Sequence, residues 1–113
     1  MHVRHWENSG GNIWDKYTVK MFPQAYRDID KIYEQALLVS NYADNAIALA
    51  EKLEKAILSL EEQPYRGAER KYGFYAFKGY RQLTVENYII IYEVFENEKV
   101  VAVVTVKYGK SEF

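Results

Sequence analysis

A chain of 113 residues is near the commonest size for one domain, so a single core is expected and two independent domains are not. Hydrophobic residues at 49% and charged residues at 27% exclude a disordered or collagen-like chain, and the lack of cysteine excludes a disulfide framework, a thiol nucleophile and a cysteine-ligated zinc site. A formal net charge of -1 offers nucleic acid no global attraction.

Residues 1–15 form a polar extension, with His2, Arg4, His5 and Glu7 around Asn8-Ser9-Gly10-Gly11-Asn12. No apolar run of the signal-peptide kind occurs there, so export by that route is not expected. No stretch reaches the roughly 20 apolar residues of a membrane span. Even Tyr88 to Phe95 is short and contains Glu93. These features predict a soluble cytoplasmic protein whose single domain occupies residues 16–113.

Tyr17-Thr18-Val19-Lys20-Met21-Phe22 alternates in the β-branched and aromatic manner of a half-buried strand, and Pro23 stops it while suiting the first turn of a helix. Ala25, Ile29, Ile32, Tyr33, Ala36 and Leu37 then fall on one helical face, predicting a helix over about 24–38. A short polar link near Ser40-Asn41 leads to Ala46, Ala50, Leu53, Ile57 and Leu60, again at helical spacing, with Asp44 placed to cap the second helix and Glu62 near its end. So short a link predicts an antiparallel helical hairpin. Beyond Pro64 the pattern changes to strands over 74–77, 79–85, 88–95 and 100–106, joined by Glu86-Asn87 and Glu96-Asn97-Glu98-Lys99. The fold class is therefore α+β: an N-terminal strand, a helical hairpin and an antiparallel meander, with the hairpin on one sheet face and the other partly open.

Charge is uneven along this order. Positions 28–62 hold three Lys/Arg against eight Asp/Glu, whereas 64–81 hold Arg66, Arg70, Lys71, Lys78 and Arg81 against Glu69 alone. A basic end is therefore expected on a nearly neutral molecule. Other constellations fail on counting. His2 and His5 lack a third metal ligand, and the serines lack a histidine partner outside that lead-in. Gly73 and Gly79 do not make a phosphate loop, since no Gly-Lys-Ser/Thr follows. Neither a metal nor a cofactor is expected.

The second helix ending in Glu61-Glu62-Gln63-Pro64-Tyr65-Arg66-Gly67, then Tyr80-Arg81-Gln82-Leu83, Tyr88-Ile89-Ile90-Ile91-Tyr92 and Val104-Thr105-Val106-Lys107-Tyr108, together resemble the RelE/ParE toxin superfamily of type II toxin-antitoxin modules, over roughly residues 16–113. The resemblance implies a plasmid-stabilisation type of toxin that arrests bacterial growth and is silenced by a cognate antitoxin. Members divide by mechanism: ParE-like toxins poison DNA gyrase by binding it, whereas RelE-like toxins cleave messenger RNA on the ribosome. The RNA-cleaving branch follows the Tyr88 position with a phosphate-gripping arginine, and this chain has Ile89 there. That departure favours the ParE-like mode, with ribosome-dependent endoribonuclease as the alternative and a non-toxic binding module on the same architecture as a third.

Cleavage by 2′-hydroxyl attack needs a base, a cation and an acid converging on one phosphate. Arg81 and Tyr108 are the candidates for such chemistry, Arg81 as a bidentate phosphate clamp on the open face, or else a structural arginine paired with Glu86 or Glu93 and stacked on tyrosines. Tyr108 is either a proton-transfer group or a packed strand-end ring. Arg66, Arg70, Lys71, Arg81, Lys107 and Lys110 are the candidates for gripping a target or polyanion, the loop charges among them being otherwise simply solvated. Tyr26, Tyr33, Leu38, Leu49 and Leu58, on the helices, are the candidates for an antitoxin groove or for finishing the core.

Overall fold

The computed structural model describes residues 16–40 and 43–110. The polar lead-in and the Asn41–Tyr42 link lie outside these residues. Strand β1 (Thr18–Met21) runs into helix α1 (Pro23–Ser40), and helix α2 (Ala43–Leu58) ends in a 3-10 turn, Ser59–Glu61. The remaining strands are β2 (Ala68–Glu69), β3 (Tyr80–Val85), β4 (Tyr88–Phe95) and β5 (Val100–Tyr108). The five strands form one sheet in the order β1-β5-β4-β3-β2, with β1 parallel to β5 and all other neighbours antiparallel. The first and last strands therefore lie side by side, which no local pattern announces.

The helical hairpin covers one face. Ala25 and Ile32 of α1, and Leu53, Ile57 and Leu60 of α2 and its turn, pack on Leu83, Ile90, Tyr92, Val101, Val103 and Val106. Their alternation assigns the faces, because directly paired residues share a side. Arg81 pairs with Tyr92, and Leu83 with Ile90, on the helix-covered side of the sheet; Gln82 pairs with Ile91, and Tyr80 with Glu93, on the opposite face. An irregularity between Ile91 and Tyr92 on β4, facing Val103 and Thr105 on β5, shifts the ladder by one residue.

Where β1 ends, α1 takes over its edge. The Phe22 N–H donates to the Val103 carbonyl at 2.9 Å, the last rung of the β1–β5 pairing. Beyond it the Val106 N–H of β5 donates to the Asp28 carboxylate at 3.0 Å, and the Thr105 hydroxyl donates to the same oxygen. The Gln24 side-chain amide donates to the other oxygen at 2.7 Å. A buried polar side chain is thus held by three donors, and the β5 edge is closed without a further strand.

Three expectations need correction. Residues 74–77 are not a strand but a turn, since Gly73, Phe77 and Gly79 take φ of 73°, 57° and 88°, and left-handed backbone at such spacing cannot extend. Asp44 sits within the first turn of α2, one residue past the start. The helix itself ends at Leu58, its last expected turn tightening to 3-10 geometry. Strand β2, two residues long, carried no pattern long enough to read.

Candidate functional site

The residues singled out by sequence separate into an inward group, a strand-end group, a projecting loop and the outer helix surfaces. Arg81 heads the inward group. Its Nε donates to the Gly67 carbonyl at 2.9 Å and its Nη2 approaches the Tyr65 carbonyl at 3.4 Å, while the guanidinium lies 5.2 Å from the centre of the Tyr65 ring. Glu86, one of its expected partners, is paired with Lys52 of α2 instead. The register thus turns Arg81 away from the open face, and its acceptors are backbone carbonyls. Stacking on a tyrosine matches the structural alternative; a carboxylate partner does not.

Gly67 makes this arrangement possible. Its N–H donates to the buried Tyr92 hydroxyl at 3.0 Å, and a Cβ placed on it would sit 2.3 Å from the Gln82 carbonyl oxygen and 2.6 Å from the Tyr92 hydroxyl. Burial pushes the Tyr92 phenol above its ordinary pKa, against the opposing pull of the Gly67 N–H and the Arg81 guanidinium.

The strand-end candidates do not join Arg81. Tyr108 pairs with Tyr88, their rings 5.8 Å apart in an edge-on arrangement, on the helix-covered side. Lys107 pairs with Ile89 and therefore lies on the opposite face. Lys110 is exposed in the turn beyond β5. Arg81 and Tyr108 are two strand spacings and four residues apart in register, about 16 Å between backbone positions. Because Gly67 lies on the β2 side, the Arg81 side chain points away from β5.

The basic stretch divides by residue type. Arg66 donates to the Ser59 hydroxyl at 2.6 Å, tying the loop after the 3-10 turn back to it. Arg70 is buried, with its Nε on the Tyr72 carbonyl at 2.9 Å and its Nη1 on the Gln82 side-chain oxygen at 2.8 Å. It is therefore neither solvated nor presented to a polyanion. Lys71 is exposed, and Lys78 places its ammonium 4.0 Å from the centre of the Phe74 ring. Around these lysines Tyr72, Phe74 and Phe77 expose 72%, 68% and 72% of their surface. Lys71 is thus a target-gripping candidate that the structure does leave exposed, whereas the aromatics beside it carry no such signal in the sequence because their composition fits a strand.

On the helices, Tyr26, Leu38 and Leu58 are exposed and Tyr33 is half-buried, whereas Leu49 packs against the core. Ile47, not singled out by sequence, is exposed and shares an azimuth with Leu58, eleven residues or about three turns on. Phe22, just before α1, is also exposed.

A further cluster had no sequence signal, since its members come from three distant segments. The Glu96 carboxylate accepts from the hydroxyls of Tyr17 and Tyr65 and from the Lys99 ammonium, each at 2.7 Å. Lys99, the largest influence, then Tyr65 and Tyr17, hold Glu96 down to about 2. The same bonds raise both tyrosines and the lysine above their ordinary values. The cluster pins the β4–β5 turn to the start of β1 and to the loop after α2. Among the described residues no group of three His, Asp or Glu is arranged to hold a metal, and no helix is long and apolar enough to cross a membrane.

A strand, a helical hairpin and a largely antiparallel sheet are shared with solved toxin structures. The toxin of "Chromosomal ParDE TA system from P. aeruginosa" superposes with a TM-score of 0.69 at 19% identity, over 83% of this chain and 97% of that one. The RelBE2 toxin-antitoxin complex from Mycobacterium tuberculosis gives 0.58 at 22% identity, over 82% and 91%. The intact E. coli RelBE toxin-antitoxin complex gives 0.57 at 16% identity, over 84% and 99%. At these identities the likeness establishes the fold. Family membership follows from the sequence: residues 19–113 match the model of the ParE toxin of the type II toxin-antitoxin system parDE, and the chain belongs to that family. No curated protein matches it.

Proposed function

We propose that this chain is the toxin of a type II toxin-antitoxin module, is neutralised in the cytoplasm by a cognate antitoxin, and arrests growth by binding DNA gyrase. Family membership and structural neighbours solved as toxin-antitoxin complexes support the antitoxin partner. The exposed apolar residues Tyr26, Leu38, Ile47 and Leu58 suit a segment that folds on binding across the hairpin.

The observation that carries the choice of target is the separation of the candidate groups. Phosphodiester cleavage needs a cation and a proton-transfer group within reach of one phosphate. Arg81 is committed to backbone carbonyls on the β2 side, Tyr108 is packed on Tyr88 roughly 16 Å away, and Lys107 lies on the opposite face. Ile89 occupies the position at which the RNA-cleaving branch carries an arginine, directly across from Lys107. Binding a protein target requires no such convergence.

The decisive comparison is production of the chain without antitoxin, with transcripts mapped in cells and supercoiling followed with purified gyrase. Inhibited supercoiling with intact messages is the expected result. Transcripts cut within ribosome-protected codons, with supercoiling untouched, overturn the reading in favour of the ribosome-dependent endoribonuclease. Vigorous growth of cells producing the chain would mark a non-toxic binding module.

A further inference from the structure

The segment from Arg70 to Val85 contains no carboxylate, and its tip, Lys71 to Gly79, carries four aromatic residues between two lysines. Water-exposed aromatics at this density are unusual on a small globular domain.

The loop is built to hold them out. The Arg70 N–H donates to the Tyr80 carbonyl at 2.8 Å, the Phe77 N–H to the Arg70 carbonyl at 3.0 Å, and the Ala76 N–H to the Gly73 carbonyl at 3.1 Å. The buried Arg70 side chain braces the loop from inside through Tyr72 and Gln82. Tyr75 stacks edge-on against both Phe74 and Tyr80, at 5.1 and 5.0 Å. Phe77 takes a φ of 57°, a left-handed conformation that bulky residues seldom adopt, and yet leaves its ring in solvent. Strain combined with exposure marks a residue positioned for contact rather than for folding.

We propose that this loop is the anchor through which the toxin engages its protein target, with Phe74 and Phe77 entering an apolar pocket whose rim carries carboxylates facing Lys71 and Lys78. The inference rests on the protein-binding reading above and names the surface that performs it. Charge selects the occupant's rim, since the charges of the tip itself are Lys71 and Lys78, with Glu93 of β4 reaching only its Gly79 end. Shape and cation count select a protein over nucleic acid. The aromatics project from a tight turn rather than lining a flat platform, and among the described residues only Lys71 and Lys78 of the five cations between positions 64 and 81 stay clear of backbone, hydroxyl or amide acceptors, on a chain of net charge -1. The loop lies over the sheet face opposite the helices, through Tyr75 on Tyr80 and Arg70 on Gln82, so it is separate from the surface assigned to the antitoxin.

Phe77→Gly tests this without unfolding the loop, because glycine accepts the same φ and loses only the ring. Phe77→Gly and Phe74→Ala, each titrated against purified gyrase in a supercoiling assay, should each raise the inhibitory concentration on the order of 30-fold, as expected for a buried aromatic anchor. Both should still co-purify with the antitoxin and melt no lower than a few degrees from the parent. Parent-like inhibition by Phe77→Gly overturns the loop's role and leaves the gyrase reading intact. A parent chain that truncates transcripts and spares supercoiling, or does neither, overturns both. Loop-dependent capture of a single-stranded oligonucleotide by the parent chain would overturn the protein occupant in favour of nucleic acid.

Discussion

The shoulder formed by Gly67, Arg81 and Tyr92 and the loop from Lys71 to Gly79 are near neighbours in sequence, both basic and both rich in aromatic rings, yet they treat the same chemistry oppositely. In the shoulder the guanidinium is satisfied by protein carbonyls and the phenol is buried. In the loop the ammonium groups stay at the surface and the rings face solvent. Part of the difference is the cation. A guanidinium is weakly hydrated and its planar fork fits two carbonyls, whereas an ammonium is strongly hydrated and holds its place in water. A run of positive charge in a sequence can thus resolve into an internal brace made of arginines and an external rim made of lysines.

Changes in the shoulder should therefore cost stability, while changes at the loop tip should cost function alone. The largest loss is expected for Gly67→Ala, whose methyl would meet the Gln82 carbonyl at 2.3 Å, a contact relieved only by moving backbone. About 3 kcal/mol of destabilisation should be measured by urea unfolding, and a near-zero change would mean the shoulder is looser than its geometry. Asp28→Ala should follow at about 2 kcal/mol, because it strands the Thr105 hydroxyl and the Val106 N–H at a buried edge. Tyr92→Phe leaves the Gly67 N–H without its acceptor and should cost about 1 kcal/mol.

A smaller effect sharpens the comparison through pH. Glu96 has a folded pKa lowered to about 2 from 4.5, so its pairing stabilises fully above pH 4.5 and the contribution disappears as pH falls from there towards 2. Glu96→Gln should flatten the dependence of melting temperature on pH in that window and leave the profile near neutrality almost parallel to the parent's. Smallest of all, Phe77→Gly should change stability by less than about 1 kcal/mol, relief of the left-handed strain offsetting the added freedom of the unfolded chain. A loss several times larger, read from the same urea curves, would show that the ring packs rather than waits for a partner.

Much of the architecture was legible because period and length agree within each element. The α1 stripe at Ala25, Ile29 and Ile32 and the α2 stripe at Ala46, Leu53 and Ile57 read as helices and are helices. The strands expected over 79–85 and 88–95 are legible for the same reason and are found as Tyr80–Val85 and Tyr88–Phe95. Residues 74–77 misled because composition reports the taste of a residue for a strand and says nothing of its φ, and Gly73 and Gly79 only hinted at the reversal. Nothing local reveals that Tyr92 stands directly opposite Arg81, the pairing that turns the arginine from the open face.

Local patterning alone therefore established the order of strand, helical hairpin and meander and the division of charge between an acidic helical half and a basic segment, while the motifs carried the resemblance to the RelE/ParE superfamily. Tertiary structure alone decided which face each strand residue occupies, that β1 lies against β5, that Asp28 closes the β5 edge, and that Glu96 gathers Tyr17, Tyr65 and Lys99. The physical reason is range. Helical and strand periods arise from bonds and contacts a few residues apart, whereas register, sidedness and charge partners depend on pairings between segments brought together only by the burial of a common core.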